Sequence, residues 1–148
     1  MRRIPAAFAT CALAALGAVV PATGAQAATS CETAWRNASP GYLHIYSGTD
    51  CGGLLGRTSA NDPDWGDASG SVRGVEVGEA GSLLHKGTSG LAVRLYRGIG
   101  YTGAHVCLTR AEAYVPDLRE SAFPDGTPLD AARSHRWTRA SDCDRFLS

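Results

Sequence analysis

The chain has 148 residues, with 14 basic side chains, 14 acidic side chains and 18 glycines. No run of charged residues is longer than two, whereas a nucleic-acid-binding surface needs clustered lysine and arginine. The composition therefore excludes a nucleic-acid partner and a polybasic membrane patch, and the length suits one domain with a buried core.

The first 27 residues have the layout of a secretory signal peptide. Arg2 and Arg3 precede an apolar run at 4–20, and Ala-Gln-Ala at 25–27 provides the small-x-small cleavage pattern. The run of 17 residues is shorter than the roughly 20 that a membrane-spanning helix needs. We expect cleavage after residue 27 and a secreted protein without membrane association. Its net charge is −2, because the two signal arginines are lost.

Four cysteines lie beyond this signal, and an even number in an exported domain indicates two disulfides. They are Cys31, Cys51, Cys107 and Cys143. Three pairings are possible, and we favour Cys31–Cys51 with Cys107–Cys143 because each closes a loop within one half of the chain. A zinc site is the alternative, but no C-x-x-C pair exists and the spacings do not match those of zinc ligands.

Residues 28–41 form a lead-in with no predicted element, and short strands separated by turns follow. Apolar and alternating runs predict strands at 42–46, 72–77, 82–85, 91–96 and 104–108. The best helical candidate is 109–115, with Thr109 as N-cap and Glu112 three residues on. Sixteen of the 18 glycines lie beyond the signal, which is typical of an all-β sandwich or barrel built with tight turns.

An internal repeat divides the chain. Residues 45–53 align with 95–103 at an offset of 50, and residues 67–71 align with 130–134 as D-A-x-x-S at an offset of 63. The second copy therefore carries about 13 extra residues. These alignments predict one domain at 42–148, with repeats at about 42–77 and 91–138.

The second copy has an aromatic residue, another aromatic five positions on, and a glycine two beyond, at Tyr96, Tyr101 and Gly103. In the first copy Tyr46 and Gly53 match, but a cysteine stands at the second aromatic position. This pattern resembles the βγ-crystallin Greek-key corner, where the aromatic pair packs a folded-over hairpin and the glycine takes a positive φ. The chain also looks like small exported bacterial peptidase inhibitors of the microbial metalloproteinase-inhibitor type. The resemblance implies an all-β, two-repeat Greek-key sandwich with two disulfides.

The resemblance also implies calcium sites, because each βγ-crystallin motif can carry an N/D-N/D-x-x-S/T-S loop. The matching positions are Asp67 and Ser71 in one copy and Asp130 and Ser134 in the other. Alanine replaces the second acidic or amide residue in both copies, and calcium needs six to eight oxygen ligands. We expect at most weak calcium binding and no other cofactor. The alternative is that these aspartates and serines form turns.

The sequence contains little that indicates catalysis. Residues 98–103 match G-x-G-x-x-G, but a nucleotide site needs a helix after the glycines, and 104–108 alternates like a strand. No G-x-S-x-G motif is present, and the histidines are too scattered for a metal site. Asp62 and Asp64 lie in turn sequence, where we expect solvated carboxylates. We expect a protein without enzymatic activity.

Three functions are compatible with a small exported β domain. The first, which we prefer, is a structural or stress-related role. The second is inhibition of an extracellular peptidase, for which Cys107–Leu108 would be the inhibitory bond if it were exposed, since a disulfide preorganises it. The third is binding to a cell-wall or envelope component through Trp65 and Trp137, if these are exposed. We expect a monomer.

Overall fold

The structure is a computed structural model that describes residues 30–147, so the predicted signal peptide lies outside the described residues. These residues contain seven strands: β1 (Leu43–Tyr46), β2 (Leu54–Thr58), β3 (Ser82–His85), β4 (Ala92–Tyr96), β5 (His105–Leu108), β6 (Tyr114–Val115) and β7 (Ser134–Thr138). The first sheet has the order β2-β1-β3-β6 and the second sheet has the order β5-β4-β7. Every pairing is antiparallel. The predicted all-β sandwich is confirmed.

Each half of the chain sends one segment into the sheet of the other half. Strand β6 belongs to the second half but pairs with β3, where Val115 lies opposite Leu83. In return, Asp62 of the first half forms a bridge with His135 of β7, and both backbone N–H···O bonds measure 2.9 Å. This exchange makes the Greek-key crossing, so each sheet depends on both halves of the chain.

The core lies between the two sheets because successive residues of a strand point to opposite faces. In β4, for example, Val93 and Leu95 point inward while Arg94 lies on the outer face. Burying each large apolar side chain contributes roughly 1.5–3 kcal/mol. The buried cluster between the sheets consists of Leu43, Ile45, Trp65, Val72, Val75, Ala80, Leu83, Val93, Leu95, Val106, Leu108, Val115, Leu118, Phe123, Leu129 and Ala132.

A helix that the sequence did not predict covers the outer face of the first sheet. Helix α1 (Cys31–Asn37) begins after Ser30, whose hydroxyl accepts a hydrogen bond from a backbone N–H of the first turn at 3.3 Å. Trp35 of this helix packs in a cluster with Tyr46. The expectation that 28–41 lacks an element was wrong, because a helix of seven residues is stable only through its packing. Within residues 30–147, no helix has the length and apolarity to cross a membrane.

Both predicted disulfides are confirmed. Cys31–Cys51 joins α1 to the turn after β1, with 4.8 Å between the Cα atoms. Cys107–Cys143 joins β5 to the C-terminal segment, with 6.1 Å between the Cα atoms. That segment also lies along β5, where the N–H of Cys107 donates to the carbonyl of Arg145 at 2.8 Å. Each end of the domain is therefore pinned to a different sheet.

The predicted helix at 109–115 was also wrong. The Thr109 hydroxyl accepts from the N–H of Ala111 at 3.2 Å, as an N-cap does, and it donates to the Glu112 carboxylate, but the segment is a turn that leads into β6. Tyr114 pairs with Leu84 of β3 instead of continuing a helix. Pairing with the first sheet therefore overrides the local capping signal.

The predicted strand at 72–77 is a loop, while β2 and β7, like β6, were not predicted as strands. Gly74 has a φ of 63°, and its N–H donates to the carbonyl of Asp67 at 3.0 Å, so the segment turns instead of joining a ladder. Strand β2 lies at the edge of the first sheet and is mostly exposed, which removes the alternation of burial that identifies a strand. Strand β7 has little apolar alternation because Ser134, His135 and Arg136 begin it.

Candidate functional site

The second hairpin corner has the aromatic pair that the sequence singled out. The ring centroids of Tyr96 and Tyr101 lie 5.8 Å apart. Tyr101 and Gly103 have φ values of 63° and 79°. Glycine adopts this left-handed conformation without strain, whereas a tyrosine there costs about 1–3 kcal/mol. The surrounding corner must hold Tyr101 in place.

The first corner has the same backbone shape with a disulfide in place of the second ring. Cys51 has a φ of 58°, against 63° for Tyr101, and Gly53 has a φ of 67°. Tyr46 packs in one buried cluster with Cys31 and Cys51. The disulfide therefore occupies the position of the missing aromatic and attaches α1 to the corner at the same time.

One serine closes each corner with two hydrogen bonds. In the second corner, the Ser134 hydroxyl donates to the carbonyl of Gly98 at 2.7 Å and accepts from the N–H of Tyr101 at 3.2 Å. Ser82 makes the same bonds in the first corner, at 2.6 Å to the carbonyl and 3.0 Å from the N–H of Cys51. The alignment of Ser71 with Ser134 was therefore wrong, because Ser82 is the equivalent residue. The first repeat unit thus includes β3, beyond the expected end at residue 77.

The wrong alignment had the stronger local signal. Residues 67–71 share three of five residues with 130–134, whereas the equivalent residues 78–82 share two. The shared pair includes an alanine two positions before the serine, and Ala80 and Ala132 are both buried. A small apolar residue ahead of the serine is thus the sequence signal that identifies the true repeat.

The first predicted calcium loop is folded on its own hydrogen bonds. The Asp67 carboxylate accepts from the N–H and the hydroxyl of Ser69, each at 2.8 Å. Ser71 does not join it, since its hydroxyl lies 3.2 Å from the Asp62 carboxylate and also bonds Thr58. The structure therefore separates the two residues that the motif would bring together.

The second predicted loop is also occupied by protein contacts. Asp130 lies in a 3-10 turn, and its carbonyl accepts from the N–H of Gly78 at 3.0 Å. The Ser134 hydroxyl is used by the corner. Within residues 30–147, no group of three or more acidic, histidine or cysteine side chains is placed to share a metal ion. The geometry favours the turn-forming interpretation of these residues.

A buried carboxylate that the sequence analysis missed closes the first loop. Asp62 is fully buried, not solvated as expected. Its Oδ2 accepts from the N–H groups of Ser71 and Val72 at 2.9 and 2.8 Å and from the Ser71 hydroxyl at 3.2 Å. Its Oδ1 accepts from the N–H of Asp64 at 3.1 Å. The sequence indicated only a turn at Asp62, because three of its four donors come from Ser71 and Val72, nine and ten residues away.

His135 lies beside Asp62 and is held as a neutral imidazole. Its Nδ1 accepts from the indole N–H of Trp65 at 2.8 Å, and its Nε2 donates to the carbonyl of Ala60 at 2.9 Å. Burial lowers the pKa of His135 from 6.5 to about 4. Because both ring nitrogens are engaged, His135 has no free nitrogen to activate Ser71. We call this group the Asp62–His135 centre, and its hydrogen bonds join the first loop, the core tryptophan and β7.

The bond considered for peptidase inhibition is inaccessible. Cys107 and Leu108 lie in β5, and both are fully buried. They pair with Arg94 and Val93 of β4, and Cys107 is tied to Cys143 on its other side. The exposure that an inhibitory bond at Cys107–Leu108 would require is therefore not met in this structure.

The two tryptophans considered for envelope binding have different environments. Trp65 is fully buried and belongs to the core cluster. Trp137 is half-buried and lines a cleft at one end of the sandwich. Of these two tryptophans, Trp137 is the one that presents an aromatic surface to a ligand.

Comparisons with known proteins identify the fold and nothing finer. No protein-family model matches the chain, and no curated protein matches it. A solved structure described as "Evolution of the eye lens beta-gamma-crystallin domain fold" has a TM-score of 0.50 and 16% identity, covering 69% of this chain and 89% of that one. A βγ-crystallin from an archaeon has a TM-score of 0.47 and 17% identity, covering 67% and 99%. With the two antiparallel sheets and the disulfides, the first likeness shows that the domain has a βγ-crystallin-like fold.

Proposed function

We propose that the protein is an exported, non-enzymatic structural module that keeps its βγ-crystallin-like fold without bound calcium. The observation that carries the proposal is the Asp62 carboxylate, which closes the first loop through four donors that all belong to the protein. A loop whose polar groups are already paired gains little from a metal ion.

Several features support a role outside the cytoplasm. The N-terminal sequence predicts secretion, and two disulfides are typical of an oxidising compartment. The exchanged strands and the two pinned ends tie every part of the domain to another part. Such a domain resists local opening, which is where proteases attack.

The same geometry argues against the other expected activities. The Cys107–Leu108 bond is buried, so peptidase inhibition at that bond is not part of the proposal. His135 has both nitrogens engaged, so it activates no nucleophile at the Asp62–His135 centre.

Thermal unfolding with and without calcium tests the proposal. We expect the same Tm in a chelator and in millimolar calcium, the concentration range of weak extracellular calcium sites. Asp62→Ala should lower the Tm equally in both conditions, because it removes the protein's own loop closure. Asp67→Ala is the matched control and should have a small effect, since its bonds are exposed.

A calcium-dependent rise in Tm would contradict the proposal, above all if Asp130→Ala abolished the rise. Backbone NMR spectra recorded during the same titration distinguish the two cases. Shifts confined to 67–71 or 130–134 would identify an occupied loop, whereas an unchanged spectrum supports a calcium-independent fold.

A further inference from the structure

We infer that the cleft beside Trp137 binds one ring of a neutral sugar, stacked on the indole; this goes beyond the proposed structural role. The cleft has a volume of about 200 Å³ and lies where the ends of β2, β3 and β7 approach the start of β1 and β4. Its lining residues are Gly41, Ser59, Thr88, Ser89, Leu91 and Trp137. The volume is below that of pockets for drug-sized ligands, so it suits a single ring.

The indole of Trp137 is held in one orientation. Its Nε1–H donates to the carbonyl of Ala60 at 3.2 Å, and its backbone N–H donates to Asn61 Oδ1 at 2.8 Å. The His85 and Trp137 rings meet edge to face, with an interplanar angle of 86° and 5.2 Å between the ring centroids. A ring that is already fixed loses little freedom when a ligand stacks on it.

Gly87 makes this arrangement possible. A Cβ on Gly87 would lie 2.6 Å from Cζ3 of Trp137 and 2.8 Å from Cε1 of His85, so any other residue would displace the indole. The N–H of Gly87 donates to Nδ1 of His85 at 3.1 Å, and Nε2 of His85 donates to the carbonyl of Leu91 at 3.0 Å. His85 is therefore neutral and adds no charge beneath the cleft.

The lining chemistry favours a neutral polyhydroxyl ligand. No lining residue is charged. The hydroxyls of Ser59 and Thr88 bond no other group within residues 30–147, and Ser89 Oγ only accepts a weak bond from the N–H of Leu91 at 3.4 Å. A charged ligand would lose hydration without gaining a partner, and an apolar ligand would leave these hydroxyls unpaired. A sugar presents an apolar C–H face to the indole and hydroxyls to the serines and threonine.

The ammonium of Lys86, the residue before Gly87, is engaged at α1 and not in the cleft. The Lys86 ammonium donates to the carbonyls of Trp35 and Ala38 at the end of α1 and lies 5.3 Å from the centre of the Trp35 ring. Trp35 is half-buried, as Trp137 is, but the Lys86 ammonium lies over its ring. This difference makes Trp35 the matched control for Trp137.

An NMR titration with neutral saccharides tests the inference. The probes are the trisaccharides of β-1,4-linked N-acetylglucosamine and of β-1,3-linked and β-1,4-linked glucose, with a glucuronic-acid oligomer as the charged counterpart. We expect the indole N–H resonance of Trp137 to shift with at least one neutral probe and not with the charged one. Trp137→Ala should weaken binding about tenfold or more, and Thr88→Ala about threefold, whereas Trp35→Ala should leave the affinity unchanged.

The outcomes separate this inference from the structural proposal. If no neutral probe shifts any cleft resonance at millimolar concentration, or if Trp35→Ala weakens binding as much as Trp137→Ala, the inference is overturned. Thr88→Ala keeps the test decisive if Trp137→Ala fails to fold, because that hydroxyl makes no bond in the described fold. A second experiment measures how much protein a purified cell-wall preparation retains. If the wall retains the natural protein and retains less of Thr88→Ala, the sugar belongs to a wall polymer. None of these results depends on whether calcium affects the Tm.

Discussion

The two sheets use opposite chemistry at equivalent inner positions. In the first sheet, Leu83 of β3 lies opposite Val115, which comes from the other half of the chain. In the second sheet, His135 of β7 lies opposite Asp62, which also comes from the other half. A proline follows at both positions and confirms the equivalence. The carbonyl of Pro63 accepts from the N–H of Gly100 in the second corner at 2.7 Å, and the carbonyl of Pro116 accepts from the N–H of Asp50 in the first corner at 2.8 Å.

This difference shows two ways to fill one position in a fold. The apolar pair is stabilised by burial, which tolerates small changes of shape. The polar pair is stabilised by hydrogen bonds that must all be present, because an unpaired buried polar group costs about 1–3 kcal/mol. In exchange, Asp62 also fixes the loop that ends at Val72, which a valine at that position could not do.

The two corners differ in a related way. The second corner is filled by the ring of Tyr101, whereas the first is filled by the Cys31–Cys51 disulfide. The disulfide brings α1 onto the first sheet, while the second sheet has the Cys107–Cys143 disulfide and the C-terminal segment along β5. Each repeat is thus completed by a different end of the chain.

The largest effect is expected from removing the disulfide that replaces the aromatic ring. Cys31→Ala with Cys51→Ala should lower the free energy of unfolding by about 3 kcal/mol from loop closure alone, and further by releasing α1. Denaturant titration measures the loss. If the disulfide replaces the second aromatic ring of the corner, the double variant Cys31→Ala, Cys51→Tyr should recover part of the lost free energy of unfolding. Equal stability of the two double variants would contradict that equivalence.

Asp62 should matter more than its apolar counterpart. Asp62→Ala leaves four donors unpaired and should cost about 3 kcal/mol, while Val115→Ala should cost about 2 kcal/mol or less. Asp62→Asn should also destabilise the fold, because Oδ1 and Oδ2 each accept at least one N–H, whereas an amide has only one acceptor oxygen. Urea denaturation of the three variants gives the ranking. A larger loss for Val115→Ala than for Asp62→Ala would show that the polar pair contributes little.

The polar pair should make the fold sensitive to acid. Because the pKa of His135 is lowered from 6.5 to about 4 in the folded protein, the unfolded chain takes up the proton first as the pH falls. The contribution is therefore complete above pH 6.5 and is lost between 6.5 and about 4, by about 3 kcal/mol. Burial also lowers the pKa of His44 and His85, which adds to the same trend. Denaturation curves across this range measure the slope.

His135→Leu provides the control for this pH dependence. The variant resembles the first sheet, where leucine occupies the equivalent position. It should be less stable at neutral pH, because Trp65 Nε1 and the carbonyl of Ala60 lose their partner. Its unfolding free energy should fall less steeply with acid than that of the natural protein. An unchanged slope would mean that other groups cause the acid sensitivity.

The smallest expected effect concerns the two corner serines. Ser82→Ala and Ser134→Ala should each cost about 1–2 kcal/mol, because each removes two hydrogen bonds at a buried corner. Ser69→Ala should cost less, since it removes a single exposed hydroxyl bond. Thermal unfolding of the three variants compares them. A large difference between the two corner variants would show that the corners are not equivalent in energy.

What the sequence by itself determined was local. The favoured disulfide pairing, one of three that the cysteine count allowed, was chosen on loop length and is the one observed. The fold class was indicated by short runs between glycines and by the resemblance of one corner motif, spanning Tyr96 to Gly103. These signals lie within a few residues of each other or depend on loop length. Neither kind of signal requires knowledge of which strands meet.

Tertiary structure alone decided which polar and aromatic residues are buried. Asp62 is the clearest case, because a residue expected in a solvated turn becomes a buried acceptor when its segment crosses to the second sheet. Trp65 bonds His135 from 70 positions away, whereas Trp137 stays at the mouth of a cleft. The exchange of strands between the halves sets these contacts, and no local pattern encodes it. The helix at Cys31–Asn37 depends on the same physics, since the sheet that stabilises it is formed by distant residues.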